Sequence, residues 1–558
     1  MSSVRVLLLY PRFAQDSFWR NLELARLKGA RCMAPPLGLI TVAALLPAHW
    51  EARLCDLNAR ALDPADLEWS DVVFVSGMLP QRQEALAAVA AMQAAGKVVV
   101  VGGPDVSSSP EAYAAADFRV LGEAEATLSA FVEAWESGAR SGLITTPEER
   151  PAVTQTPVPR FDLLHLPDYL FVGVQFSRGC PFTCEFCDII ELYGRVPRTK
   201  TAAQMLAELD ALYALGYRGH VDFVDDNLIG NKKAVKAFLP HLIEWQRAHG
   251  HPFHFSTEAS LNLADDSALL DQMAEAGFYL VFVGIESPDP EVLRSTQKKQ
   301  NTKRDIAASV HRIYAAGIVV IAGFIVGFDN ESPDAADAMA ELIEEAAIPV
   351  VSLGLLYALP DTQLSRRLER EGRMFPIKEE DFRHGDQTGA GLNFATLEPR
   401  IDVLRRYREV YARVYAPRAF FGRIRRLSEL VGRQEGAVAA TKPPAATEPP
   451  APPAPIDVRQ MVADLGRLFG VLATVTWRHP QAAVHIWPVA LRGLKRLDRL
   501  EQLLSLALFY MHLGPFSRKV VRDVSRQIAE IEAGRWTDPR EREDGRPQEG
   551  AAPMRAAE

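Results

Sequence analysis

The sequence is short of cysteine and has no long apolar run. Its 558 residues include only five cysteines, Cys32, Cys55, Cys180, Cys184 and Cys187, whereas a disulfide framework needs an even, spread-out set. Three of the five fall within eight residues, while Cys32 and Cys55 sit singly in apolar surroundings that suit a buried thiol. The longest apolar stretches, Ile318 to Phe328 and Leu503 to Leu513, stop at eleven residues, short of the ~18–20 a membrane-spanning helix needs. Val6 to Tyr10 is too short for a signal-peptide core, so a cytoplasmic protein is expected. Excess basic charge is also missing. A net charge of −9 argues against a protein that grips nucleic-acid phosphates, so no nucleic-acid partner is expected.

What is present is an ordinary globular composition, 48% hydrophobic and 24% charged, at a length that implies several domains. Up to about residue 145, short runs rich in Val and Leu (Val4 to Tyr10, Ala52 to Leu57, Val72 to Ser76, Val98 to Val101) alternate with helical stretches such as Leu37 to Leu46 and Gln83 to Ala95. Strands buried on both faces and separated by helices predict a parallel, doubly wound, Rossmann-like sheet. Ligands of such folds sit outside the carboxyl ends of the strands. The segments there are Ser76-Gly77-Met78, Gly102-Gly103-Pro104-Asp105 and Gly122-Glu123. None makes GxGxxG, which disfavours a nicotinamide site.

Residues 146–168 read as a linker, and 169–365 as a second α/β series. It starts with the strand Val172 to Phe176. A helix over Thr201 to Leu215 follows, opened by a Thr201-x-x-Gln204 capping box and closed by Gly216. Five further strands, Val221 to Val224, His254 to Thr257, Leu280 to Val283, Val319 to Val326 and Val350 to Leu359, alternate with helices, which predicts a full or partial (β/α) barrel with six strands. Beyond it come a charged helical extension (366–436), a Pro/Ala-rich linker (437–456), a helical region (457–533) and a polar tail read as disordered (534–558).

The first barrel strand runs into Ser177-Arg178-Gly179-Cys180-Pro181-Phe182-Thr183-Cys184-Glu185-Phe186-Cys187, a CxxxCxxC spacing. Structural zinc takes four ligands and an electron-carrier [4Fe–4S] cluster four cysteines. Neither a fourth cysteine nor a histidine at ligand spacing is nearby. Zinc and a non-metal role stay open, but three thiolates best suit an iron–sulfur cluster with one open iron, the arrangement that catalysis at the cluster requires.

Cys180, Cys184 and Cys187, with Phe186 before the last, resemble the signature of the radical S-adenosylmethionine superfamily. The resemblance covers roughly residues 170–360. It implies a [4Fe–4S] cluster held by the three cysteines, with S-adenosylmethionine on the fourth iron, cleaved to a 5′-deoxyadenosyl radical. It also implies an electron donor such as flavodoxin or ferredoxin. The family's Gly-Gly-Glu segment, which holds the methionine amino group, is replaced here by Asp225-Asp226-Asn227. Gly284-Ile285-Glu286-Ser287 resembles the ribose-contacting segment, and Gly323-Phe324-Ile325-Val326-Gly327 the segment of close backbone approach. Leu356 to Leu359 would flank adenine, and Arg195, Arg198 and Lys200 would face the cofactor carboxylate or solvent. No general acid or base is assigned.

A doubly wound domain before such a barrel resembles the cobalamin-binding domain of B12-dependent radical enzymes, which places Ser76, Gly77, Gly102 and Gly103 around the corrin. The loop Pro11-Arg12-Phe13 has no Asp-x-His-x-x-Gly, so no histidine ligand to cobalt is expected from it. The domain order is most similar to the group that includes hopanoid C-2 methylases. That similarity implies C-methylation of an unactivated carbon of a small-molecule or lipid substrate. The alternatives are a radical cyclase, oxidoreductase or rearrangement without methyl transfer, and a non-enzymatic metal-binding protein. Leu497 to Leu513 has a broad apolar face, read first as helix packing and second as shallow contact with the inner membrane face.

Overall fold

The structure, a computed structural model, describes residues 3–14, 17, 18, 20–145, 150–376, 391–432, 470, 472–477, 480–493 and 497–541. The Pro/Ala-rich linker and most of the polar tail lie outside these residues.

Two six-stranded sheets, parallel throughout, organise the chain. The first contains β1 (Arg5–Tyr10), β2 (Glu51–Asp56), β3 (Val72–Ser76), β4 (Val98–Gly102), β5 (Phe118–Val120) and β6 (Gly142–Ile144), in the order β2-β1-β3-β4-β5-β6. Helices cover both faces, so the central strands β1, β3 and β4 are buried almost throughout. Strand β5 was marked only by the Gly122-Glu123 segment that follows it, and β6 was not marked by the sequence pattern. They are only three residues each, too short to show a period.

The segment at 146–168 is not a free linker over its described part. It makes three short 3-10 turns, buries Val153 and Phe161, and pairs Tyr169 with Cys32 of the N-terminal domain. The second sheet then starts with β7 (Val172–Val174). A small antiparallel pair, β8 (Ser177–Arg178) and β9 (Arg198–Thr199), closes the base of the cysteine loop. The sheet continues with β10 (Gly219–Phe223), β11 (Phe253–Glu258), β12 (Phe278–Glu286), β13 (Val319–Val326) and β14 (Val351–Leu355). The order is sequential, β7-β10-β11-β12-β13-β14, which makes a partial (β/α)6 barrel. The predicted capping box is formed: Gln204 N–H donates to Thr201 Oγ1 at 3.2 Å, and Thr201 N–H to Gln204 Oε1 at 3.0 Å.

The helices Arg400–Val414 and Pro417–Leu430 pack on the outside of β14. Tyr407 and Tyr411 each donate a hydroxyl to the Leu353 carbonyl, at 3.2 and 3.0 Å. Arg423 is fully buried there and donates to the carbonyls of Ile348 and Val414, which satisfies a guanidinium that would otherwise be costly to bury. The apolar stretch beginning at Leu497 is divided between the helices Leu497–Leu508 and Tyr510–Glu532. Leu500, Leu503, Leu504 and Leu513 join the barrel's hydrophobic core, so this face is used inside the protein. Among the described residues no helix is long and apolar enough to cross a membrane.

Candidate active site between the two sheets

The cysteine loop leaves the barrel at the carboxyl end of β7 and returns through β9. At Gly179 the chain takes φ +94°, and a Cβ there would lie 2.8 Å from the Gly194 carbonyl, so only glycine closes this turn. Cys184 is buried, and Cys180 and Cys187 are half-buried. Burial pushes all three thiols up, so their conversion to thiolates needs a bound cation. Among the described residues no three His, Cys, Asp or Glu side chains converge on a point that would hold a single ion. A three-cysteine set on one loop fits an iron–sulfur cluster with one open iron better than structural zinc, which takes four protein ligands. Polar side chains already face two of the sulfurs: Asn227 Nδ2 lies 3.8 Å from Cys180 Sγ, and Gln300 Nε2 3.8 Å from Cys184 Sγ. Such donors stabilise negative charge on cluster sulfur.

The three residues at the end of β10 divide their work. Asp225 is spent on the cysteine strand. It accepts from the Phe176 N–H at 3.0 Å, the Ser177 hydroxyl at 2.5 Å and the Ser177 N–H. Asp225 also lines the cavity, so these bonds fix its carboxylate in the cavity wall beside the cysteine strand. Asp226 lines the cavity as well, and burial beside Asp225 pushes its carboxyl up to about 7. Asn227 also accepts from Ser260 N–H at 3.1 Å, tying the loop after β11 to the cysteine loop.

At the end of β12 the strand bulges between Gly284 and Glu286, and Glu286 takes φ +71°. A non-glycine residue is strained there, and such strain collects at functional sites. The conformation is fixed by an ion pair of Lys298 Nζ with Glu286 Oε1 at 2.7 Å and by Asn301 Nδ2 on the Gly284 and Ile285 carbonyls. A Cβ on Gly284 would meet both Glu286 and Lys298. Phe186 packs on Phe328, with ring centroids 5.5 Å apart, and under the Lys298 ammonium at 5.9 Å. It therefore positions the cysteine loop.

Gly323 faces the cavity, whereas Gly327 does not. The space beside Gly327 is taken by Leu392 and Val403 of the extension, so its close approach is to this chain and not to a ligand. Arg198 pairs with Glu123 at 2.7 Å, and Lys200 with Glu208, so neither is free for a carboxylate ligand. Leu359 lines the cavity, while the Ala358 N–H and carbonyl are held by Asn393.

Glu258, which sequence reasoning missed, projects into the cavity from the last position of β11. Burial, with Asp226 and Asp222 nearby, pushes its carboxyl up to about 8. The signal available was the one used for Glu286, a carboxylate at the carboxyl end of a barrel strand. It was hidden because the strand was ended one residue early. Lys298 carried no sequence signal, since its loop placement depends on the tertiary fold.

In the N-terminal domain the ends of β3 and β4 touch. Gly103 takes φ +99°, and a Cβ there would fall 2.4 Å from Ser76 Oγ. Gly77 and Gly102 flank this contact. Asp105 forms a buried bidentate pair with Arg82 and accepts from the Tyr113 hydroxyl at 2.6 Å, which locks the loop from behind. Across the domain boundary Arg178, two residues before Cys180, pairs with Glu123 at 2.8 Å and Glu125 at 2.9 Å.

One cavity of about 1920 Å³ joins these parts, well beyond the ~300–1,000 Å³ of an ordinary small-molecule site. It is lined by Ser76, Gly77, Gly102 and Gly103 on one side and by Asp226, Glu258, Glu286 and Gly323 on the other. It also runs down the face of the first sheet past Phe74, Val100 and Leu128, a slot fit for the tail of a large planar ligand lying on the strand ends.

The fold and site thus define a radical S-adenosylmethionine enzyme with a cobalamin-binding domain in front of its barrel. The family models agree: the Radical SAM superfamily matches residues 174–343, the B12 binding domain 30–132, and a domain of unknown function (DUF4070) 362–526. The chain is 35% identical over 527 residues, 93% of its length and 95% of that protein, to the hopanoid C-2 methylase of Rhodopseudomonas palustris. It is 47% identical over 422 residues, 75% of this chain and 78% of that protein, to the uncharacterized methyltransferase sll1242 of Synechocystis sp.. The cobalamin-dependent radical enzyme OxsB with aqua-cobalamin bound shares the fold, with TM-score 0.57 at 15% identity over 96% of this chain and 82% of that one. This chain belongs to the cobalamin-dependent radical S-adenosylmethionine methyltransferase family. Its cofactors are a [4Fe–4S] cluster, S-adenosylmethionine and cobalamin.

Proposed function

We propose that this enzyme methylates an unactivated carbon of a rigid hydrophobic lipid of the hopanoid class. The observation that carries the reading is the single cavity reaching from the glycine loops of the N-terminal sheet into the hollow barrel. When bound, the cofactors supply a hydrogen-abstracting radical on the barrel side and a methyl group on the N-terminal side. The protein's part is placement. Cys180, Cys184 and Cys187 hold the cluster, and Asp226, with Glu258, presents negative charge to a sulfonium and ammonium ligand. Gly323 and Glu286 border the nucleoside, and Ser76, Gly77, Gly102 and Gly103 let a corrin lie against backbone. Apolar walls at Leu280, Phe282 and Ile321 line the interior and exclude water from the reacting carbon. Similarity to the hopanoid C-2 methylase along 93% of the chain supports the substrate class. A separate flavodoxin- or ferredoxin-type donor supplies the electron.

The test is simultaneous quantification of 5′-deoxyadenosine and S-adenosylhomocysteine from anaerobic, cofactor-loaded protein given a lipid extract. Near-equal, extract-dependent amounts are expected, and Cys184→Ala should form neither. 5′-Deoxyadenosine without S-adenosylhomocysteine would favour cyclisation or oxidation, and cleavage retained in Cys184→Ala would refute the cluster assignment.

A further inference from the structure

The cavity does not stop at the cofactor end of the barrel. It continues to the amino ends of β10, β11 and β12, where His220, His254 and Tyr279 line it with Asp222 and Ser256. These groups form one connected chain. The Ser256 hydroxyl donates to Asp222, His220 Nε2 lies 2.6 Å from Ser256 Oγ, and the Tyr279 hydroxyl is 3.5 Å from His220 Nδ1. With the serine proton committed to Asp222, His220 donates through Nε2 and accepts at Nδ1. Burial, with His254 and Lys28 nearby, keeps His220 neutral by holding its pKa well under the usual value. The ring of His254 stacks on that of His220 at 5.4 Å. Among the described residues neither nitrogen of His254 makes a hydrogen bond.

Closed eight-stranded (β/α) barrels fill their interior with layers of bulky branched side chains. Here the floor is polar and the walls over it are Leu280, Phe282 and Ile321, with Gly323 and Gly354 leaving space. His220, Ser256 and Asp222 satisfy one another, whereas His254 is exposed at this end of the cavity near Lys28 and Glu501, so its ring nitrogens are accessible to a ligand.

We infer that this floor receives a hydroxyl group at the far end of the elongated apolar substrate, so that the opposite end is presented to the cofactors. The inference rests on the proposed lipid substrate and deepens it by fixing the molecule's direction. The four steps along β11 from His254 to Glu258 span roughly 13 Å, a length suited to a fused polycyclic skeleton along the barrel axis. The substrate hydroxyl would meet the free ring nitrogens of His254 and the edge of the His220–Ser256 pair.

The experiment is equilibrium binding, without turnover, of two radiolabelled ligands to the full-length, cluster-loaded protein. One is a pentacyclic triterpene hydrocarbon and the other the same skeleton with a terminal hydroxyl. The hydroxylated ligand should bind about tenfold more tightly. His254→Phe, which keeps the ring packing, and Ser256→Ala should each bring the ratio close to one. Equal binding by the unaltered protein, or a ratio unchanged in both variants, overturns the inference. A variant that loses both ligands in proportion also overturns it, because such a change reflects structure and not hydroxyl recognition. Methylation is followed separately. Preferential binding without methyl transfer would refute the proposed reaction and leave this assignment standing, and a protein that binds neither ligand overturns both.

Discussion

In the N-terminal sheet, Leu7, Leu9, Val73, Val75, Val99 and Val101 enter one hydrophobic cluster, and Val6, Leu8, Val72, Phe74, Val100 and Phe118 enter another on the opposite face. In the barrel, Val221, Phe223, Phe255, Val281, Val283, Val320, Ala322 and Leu353 pack outward against helices. The positions between them are Asp222, Ser256, Glu258, Phe282, Ile321, Gly323, Ser352 and Gly354, and all of these line the cavity. Both sheets are six-stranded and parallel. The first has apolar side chains packed on both faces, with the cavity at its strand ends and in a slot beside Phe74, Val100 and Leu128, whereas the other has one filled face and a hollow interior. The difference lies in the side chains at alternate positions: apolar on both faces in the first, apolar outside with mostly small or polar residues inside in the second.

The largest effect expected comes from emptying the filled sheet. Phe118 is fully buried, with its ring edge-on to Phe131 at 5.1 Å. Phe118→Ala should cost about 3–5 kcal/mol of stability, read as a lower denaturation midpoint of the N-terminal domain. Cleavage of S-adenosylmethionine per folded molecule should not change. A small loss of stability would mean that this sheet tolerates voids as the barrel does.

Filling the hollow sheet should do the reverse. An added Cβ at Gly354 meets nothing nearer than the Phe324 carbonyl at 4.0 Å. Gly354→Val should therefore fold and gain about 0.5–1 kcal/mol from strand propensity and reduced chain entropy. Intruding on the ligand space should lower product formation about 100-fold. Unchanged turnover would show that this part of the interior is not used.

The acidic lining separates the sheets in a third way. Glu258 has its carboxyl raised to about 8 in the free protein, so it is largely protonated at neutral pH. A cationic ligand favours the ionised form and expels the proton. Affinity for S-adenosylmethionine should therefore tighten as pH rises toward about 8, by up to about tenfold per pH unit, and level off at higher pH. Glu258→Gln should flatten that slope in equilibrium dialysis. A persistent slope would move the titrating group to Asp226.

The fold was legible where a period could run long enough to be seen. The strand Val319–Val326, the Thr201 capping box and the cysteine loop stand where the sequence places them. Legibility failed where tertiary partners choose the role of a side chain. Asp225 reads like a ligand residue by position, yet its acceptors go to Phe176 and Ser177, which lie far away in sequence. Gly327 reads like a place of cofactor approach, and Leu392 from beyond the barrel occupies it. Arg423 gives no hint from sequence that its charge is buried, since the carbonyls that satisfy it belong to other elements.

The smallest effect concerns the outer surface. The apolar face beginning at Leu497, the sequence's candidate for membrane contact, is packed inside, but exposed apolar groups occur nearby at Trp477, Val484 and Leu491. In the helix Pro480–Gly493, Val484, Pro488 and Leu491 are spaced i, i+4, i+7 and share one exposed face. This stripe offers a surface for contact with lipid, with binding set by the modest apolar area it can bury. Flotation with anionic liposomes should recover a minor fraction of the protein, and Trp477→Ser with Leu491→Ser should reduce it severalfold without changing turnover of detergent-dispersed substrate. Equal flotation of the variant would remove this stripe from any route by which a lipid reaches the barrel.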